Sequence, residues 1–308
     1  MYIEIKKRNK SKYYYLCKSL RINGKYKKIR VYLGKNFSKK KLKDEINKKG
    51  KIIEEKINLL KKQDPLFNLL NEKEIKEIEK IKKRFGKFLR NSVALKKFLE
   101  WFEVSFTYNT TAIEGSTLSL EEVSLILIDK LSPEGKSLKE IKEIENHKKA
   151  FEYILSYNGD INKKVICKLH RILTKDILPE KYSGKFRDVQ VFIRGVEVIP
   201  PKPKDIENEF RELMKWYRKN KLKYNPIVVG AYFHAAFESI HPFIDFNGRV
   251  GRLILNFFLF KNKLPMINIK NEEKLKYYKA LKEANKENLR YLVKLIIDKL
   301  KEIARMLE

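Results

Sequence analysis

Two apolar stretches, Val228 to Ile240 and Leu253 to Phe260, flank twelve residues that read His241-Pro242-Phe243-Ile244-Asp245-Phe246-Asn247-Gly248-Arg249-Val250-Gly251-Arg252. Each flank predicts a buried helix, because neither leaves a polar face for water. The chain must therefore fold around a polar loop held between two interior helices, with the second helix starting inside the dozen. This confines a base, a carboxylate, a glycine and two arginines to one tight turn.

Those residue types suit phosphate chemistry. Gly248 sits where the loop becomes helix, and glycine there lets backbone approach a ligand closely. The free N–H groups of a helix start, with the helix dipole behind them, form an anion site. Arg249 and Arg252 are three apart on the first turn, within reach of phosphate oxygens that a guanidinium grips in two-point fashion. Asp245 is a hard oxygen donor suited to magnesium beside phosphates. The Asn247 amide can tie the loop down or donate to a phosphate oxygen. His241 ends the preceding helix and, when neutral, can take a proton from a hydroxyl near pH 7. Singly, each residue has an ordinary structural reading: a cap, an Asx-turn, a solvated arginine. Together, in this order, they are hard to reach by chance.

The dozen meets every fixed position of His-Pro-Phe-x-Asp/Glu-x-Asn-Gly-Arg-x-x-Arg, and so resembles the signature of the Fic (Fido) family of protein adenylyltransferases. The resemblance implies transfer of AMP from ATP to a Ser, Thr or Tyr hydroxyl of a protein, itself included. It implies His241 as general base and Asp245 as the magnesium ligand, with manganese as a substitute. Asn247 and the backbone around Gly248 would hold phosphates, and Arg249 and Arg252 the β- and γ-phosphates. Phe246, Val250 and Gly251 fall in the same nucleotide loop. Residues 184–193 alternate apolar and polar from Phe186 and run into Arg194-Gly195, a hairpin-like signal. They resemble the family's flap, which would place Val189, Gln190, Val191 and Phe192 against a target segment added as a strand. Pro200-Pro201 closes that segment as the family pattern does. Tyr277, Tyr278 and Asn285 match positions that line the adenine pocket, although Tyr277 reads equally well as helix core.

Thr110-Thr111-Ala112-Ile113-Glu114-Gly115 resembles the family's inhibitory motif. By that resemblance Glu114 pairs with Arg252 and occupies the arginine that the γ-phosphate needs. In some family members the same glutamate directs removal of AMP, and the sequence leaves both directions open.

The rest of the chain predicts a mainly α fold, a Fic-type helical core with a β-hairpin flap. A small antiparallel β domain (1–36) and a connecting helix and linker (37–66) precede the core (67–308), whose inhibitory segment lies near 110–115. Tyr13-Tyr14-Tyr15-Leu16 and Lys28-Ile29-Arg30-Val31-Tyr32-Leu33 flank Asn23-Gly24, a hairpin signal, and Tyr2-Ile3-Glu4-Ile5 adds a third strand. A lysine-rich helix follows over 38–60, and Pro65 marks a boundary. Helices are expected over 72–90, 92–108, 119–131, 138–157, 160–175, 203–219, 226–240, 272–284 and 288–306, with Ser119 and Glu122 forming a capping box.

The net charge is +31, and residues 1–64 hold 22 Lys and Arg against 6 Asp and Glu. Tyrosines amid that charge admit a nucleic-acid partner, but general lysine richness favours a plain solvated sheet, and an acidic protein target would suit as well. Cys17 and Cys167 lack metal-ligand spacing and are expected to be reduced packing residues of a cytoplasmic protein. No membrane span is expected, because no stretch nears eighteen apolar residues. Oligomeric state is open, a homodimer included. Three rivals to AMP transfer remain. A Fic-fold phosphotransferase carries lysine where this loop has Gly248. A transferase using another nucleotide donor cannot be separated by sequence. A nucleic-acid-binding regulator would make the basic sheet the working part.

Overall fold

The computed structural model describes residues 1–8, 11–22, 25–62, 64–193 and 199–307. They divide into two compact units, 1–71 and 72–308.

The first unit is an antiparallel sheet in the order β1 (Tyr2–Arg8), β2 (Ser11–Ile22), β3 (Lys25–Lys35), followed by α1 (Lys39–Lys62). Strand alternation puts Tyr14, Leu16, Ile29, Val31 and Leu33 on one face, buried with Ile53 of α1. Leu42 and Ile46 of α1 pack on the same cluster. Phe37, Leu42, Ile46 and Ile53, in the stretch expected to connect the units, thus help complete the small sheet's core, since a three-stranded sheet needs a partner to hide its apolar face. Asn23-Gly24, the hairpin signal, lies outside the described residues.

The second unit is helical among the described residues: α2 (Glu72–Phe88), α3 (Ser92–Ile113), α4 (Leu120–Ser124), α5 (Leu138–Ser156), α6 (Lys163–Leu173), α7 (Pro203–Asn220), α8 (Pro226–Ile240), α9 (Asn247–Lys261), α10 (Lys274–Ala284) and α11 (Arg290–Met306). Helix starts follow local capping chemistry. Asn91, Ser137, Asn162 and Asn225 each accept from a backbone N–H of the first turn. Ser119 and Glu122 form the expected capping box, with Glu122 accepting from Ser119 N at 2.7 Å. The helix expected over 119–131 differs: α4 ends at Ser124 and a π-helical turn, Leu125–Asp129, follows it. Helix α3 runs to Ile113, five residues past expectation, and makes Glu114 its C-cap.

Helices α8 and α9 form the centre. In α8 ten of fifteen residues are buried, and in α9 twelve of fifteen, which explains why neither sequence shows a polar face. Helices α7, α10 and α11 pack on α8, and α3, α5 and α6 on α9. Residues 186–193, where the flap is expected, are in no strand, and Arg194-Gly195 lies outside the described residues. The backbone of this segment is held by the side chain of Arg187, as described below.

Candidate active site

The loop between α8 and α9 begins and ends in left-handed backbone. His241 has φ 48° and Phe246 φ 64°. Non-glycine residues rarely adopt this conformation, which costs roughly 1–2 kcal/mol each and survives only where neighbours enforce it. Arg187 is one enforcer. Only 3 % exposed, it donates from Nε to His241 O at 2.9 Å and from its backbone N to Pro242 O at 2.9 Å. The other guanidinium nitrogens reach Val189 O at 2.9 Å and Pro201 O at 2.7 Å. One side chain thus ties Val189 and Pro201 to the turn between α8 and α9.

His170 is a second enforcer. It stacks on Phe243 with centroids 3.9 Å apart. Gly184 N donates to its Nδ1 at 2.9 Å, so the proton sits on Nε2, which donates to Asp245 O at 3.2 Å. The arrangement needs a neutral ring, and burial lowers its pKa to about 4. Asn247 spends both ends of its amide on Phe243, accepting from N and donating to O at 2.9 Å each. Of its two sequence-derived roles, tying the loop is the one the structure displays.

These braces set up an open helix start. Phe246 occupies the cap position of α9 and makes no side-chain cap. The first N–H groups of α9 therefore point from a dipole's positive end without a local partner side chain. Gly248 lies there, and a Cβ on it would sit 2.5 Å from Glu114 Oε1 and 2.9 Å from an Arg252 guanidinium nitrogen. The Glu114 carboxylate therefore lies directly over this helix start. Arg252, 3 % exposed, donates to Glu114 Oε1 at 2.6 Å, to Thr110 Oγ1 at 2.7 Å and to Thr110 O at 3.1 Å. Desolvation pushes the Glu114 carboxyl up, but Arg252 and Arg249 together outweigh it and leave the net shift downward. Gly115, at φ 103°, lets the chain turn away after this contact.

His241 stands at the other lip. Its Nδ1 lies 3.4 Å from the Glu238 carbonyl, which can only accept. That places the proton on Nδ1 and leaves the Nε2 lone pair for another atom. Burial lowers its pKa from the ordinary histidine value. Asp245 points outward, with its side chain 57 % exposed and Oδ1 accepting from Phe246 N at 2.6 Å. No cluster of three or more His, Cys, Asp or Glu able to hold a metal occurs among the described residues. A magnesium ion bound largely through substrate phosphates and water needs only one carboxylate, and Asp245 fits that requirement.

Other residues of the motif face elsewhere. Arg249 donates to Glu143 Oε2 at 2.5 Å, lies 3.4 Å over the Phe246 ring and is 3.7 Å from Asp245 Oδ1. It braces the turn, because Glu143 of α5 offers a carboxylate that spacing along α9 could not reveal. Phe246 and Val250 are core, at 3 % and 0 % exposure. Gly251 faces α8, where a Cβ would come within 2.2 Å of Glu238 Oε1 and 3.0 Å of the His234 ring. Tyr277 is buried, with its hydroxyl 2.7 Å from His234 Nε2. Tyr278 remains partly exposed beside it, and Asn285 caps α10 at the surface. In the flap segment Gln190 donates to Pro200 O at 3.1 Å, Val189 is 43 % exposed, Val191 is half-buried and Phe192 is 76 % exposed. Sequence reasoning missed Glu143 and His170. It recorded Arg187 only as part of an alternating run, and a buried arginine between Phe186 and Asp188 gave no periodic signal.

A base at one lip of a strained turn and an uncapped helix start with a buried arginine at the other make a helix–loop–helix site whose residue types suit a phosphate. Comparison with known proteins agrees. Residues 160–259 match the family model described as Fic/DOC family. The chain is 30% identical over 233 residues to Protein adenylyltransferase Fic of Drosophila persimilis, covering 74% of this chain and 45% of that protein. The Aedes aegypti protein of the same name is 30% identical over 234 residues, covering 74% and 46%. The chain thus spans less than half the length of these relatives. Among solved structures, Fic-1 from C. elegans superimposes with a TM-score of 0.70 at 25% identity, over 82% of this chain and 76% of that one. A Fic domain containing signaling protein from Bacteroides thetaiotaomicron gives a TM-score of 0.69 at 23% identity, over 75% and 95%, a likeness of fold. The chain belongs to the Fic/DOC family.

Proposed function

We propose that this chain transfers AMP from ATP to a hydroxyl of a protein, itself included, and that Glu114 restrains the reaction. The observation that carries the reading is the pairing of Glu114 with Arg252 across Gly248, facing a neutral His241. A carboxylate held on a helix start by a buried arginine marks a site shaped for a phosphate oxygen. In the reaction, His241 Nε2 takes the proton as the acceptor oxygen forms its bond to the α-phosphorus. The bond from that phosphorus to the bridging oxygen breaks, and pyrophosphate leaves. The α9 N–H groups and Arg252 bear the charge on the phosphates. Asp245 would hold magnesium, or manganese in its place, which when bound neutralises phosphate charge. The Arg187-braced segment carries Val189 to Phe192, which would align the acceptor chain by backbone pairing.

Gly248 favours this reading over γ-phosphate transfer. A lysine there would project into the space that Glu114 Oε1 now borders. The same glutamate could direct a water for AMP removal once its pairing loosens, a reading open to test with labelled self-modified protein. The deciding experiment is intact-mass analysis of Glu114→Gly after incubation with ATP and magnesium, with His241→Ala introduced as a control. An AMP adduct that disappears with His241→Ala supports the proposal. A phosphate adduct, or an adduct indifferent to His241, removes it.

A further inference from the structure

The small sheet has two faces with opposite chemistry. One is buried against α1. The strand register puts Tyr2, Tyr13, Tyr15, Lys28, Arg30 and Tyr32 on the other. Among the described residues of this unit the one helix of eight residues or more, α1, packs on the first face. The rings form a connected array, with Tyr15 and Tyr32 centroids 5.3 Å apart and Tyr13 and Tyr32 6.4 Å apart. Tyr2 and Tyr32 remain 46% and 45% exposed. Apolar packing explains Tyr14, which points into the core at 8% exposure, but not these rings. Residues 1–36 carry twelve Lys and Arg against a single acid, Glu4. Glu4 is held by Lys28 and by Arg30 at 2.9 Å, so no acid in this segment remains for the other cations.

We propose that this tyrosine face binds single-stranded nucleic acid, with Tyr2 and Tyr32 stacking on bases and the surrounding lysines contacting phosphates. Charge complementarity selects a polyanion, and exposed rings on a sheet face select one whose bases are unstacked and free to lie on them. A duplex fits less well. Reading its base edges needs a long polar side chain reaching outward. Arg30, the central candidate, is instead tied to Glu4 and lies 5.1 Å over the Tyr15 ring. The proposal concerns the first unit alone and does not depend on the transfer chemistry of the second.

The test is fluorescence anisotropy of the full chain with a labelled mixed-sequence single strand of about 20 nucleotides, a length that spans one such binding face, at low and at fourfold higher salt. With about four phosphate contacts, a fourfold rise in salt should weaken binding roughly 50-fold. Tyr2→Ala with Tyr32→Ala should weaken it at least about tenfold at both salts, and Tyr2→Phe with Tyr32→Phe should leave it intact, because stacking needs the ring and not the hydroxyl. Lys6→Gln with Lys35→Gln should flatten the salt dependence. Absence of binding at low salt overturns the proposal, as does wild-type affinity in the alanine pair. A duplex of the same sequence bound more tightly, without regard to the tyrosines, also overturns it. Should the alanine pair unfold by circular dichroism, the lysine pair still decides, since an unchanged salt dependence there refutes phosphate contact at this face.

Discussion

Replacing Glu114 by glycine isolates the contact that matters most. Arg252 donates three hydrogen bonds, of which two go to Thr110 and only the one to Glu114 at 2.6 Å meets a charge. Glycine keeps the backbone unstrained, since Glu114 sits at φ −87° and ψ 0°. It also leaves the Thr110 bonds that orient the guanidinium. What disappears is a charge-assisted bond, typically about 1.5–3 kcal/mol. The Glu114 side chain is 31% exposed, so solvent screening points to the lower end of that range. About 1.5–2 kcal/mol corresponds to roughly a 10- to 30-fold shift in the competition between carboxylate and phosphate for Arg252. At ATP concentrations below saturation, labelled-AMP incorporation by Glu114→Gly should exceed wild type by that factor. Glu114→Gln, which keeps a hydrogen-bond acceptor without the charge, should fall between them. Saturating ATP should narrow the gap, because the effect is competitive. The reasoning fails if the two proteins incorporate label within twofold of one another at low ATP, or if the ratio is insensitive to ATP concentration.

Arg187→Ala removes the tie between the flap segment and the turn; it should cut transfer to a protein acceptor far more than it weakens ATP binding, and equal losses in both would refute a positioning role. Burial lowers the His241 pKa, so the neutral base persists below the ordinary histidine value; the acid limb of the transfer-rate profile should therefore lie below pH 6.5, and a limb above it would contradict the assigned environment. His147, His170 and His234 are buried and neutral, with pKa values near 3, 4 and 3. Their folded values are depressed, so the unfolded chain takes up protons first. Stability should fall as pH drops below about 6.5, by on the order of 3 kcal/mol per ring at pH 4, and a denaturant midpoint that stays flat across that window would count against it. Gly251→Ala should destabilise the core by roughly 1–3 kcal/mol, because its Cβ would meet the buried Glu238 carboxyl group; an unchanged melting temperature would refute the packing.

Much of the site is legible in the sequence. Local information suffices for a helix that is apolar all round, a capping box at Ser119 and Glu122, and a base, acid and glycine ordered in one loop, because these depend on neighbours within a few residues. The C-terminal extent of α3 is not legible, since Thr110 and Thr111 have weak helical preference and are held by tertiary contacts such as the Arg252 bonds. Alternation from Phe186 onward is a strand pattern, but a strand forms only beside a partner, and among the described residues Arg187 holds Val189 O and Pro201 O.

Sequence by itself therefore determined the two buried helices, the polar turn between them, and the chemical types that turn presents. Tertiary structure alone decided which arginine meets which carboxylate: Arg252 reaches Glu114 from 138 residues away and Arg249 reaches Glu143 from 106. It also decided that Tyr277 is buried and that α1 roofs the small sheet. The division follows from range. Helical periodicity, caps and loops are written in bonds between near neighbours, whereas ion pairing and burial depend on which distant surfaces the packed chain brings together.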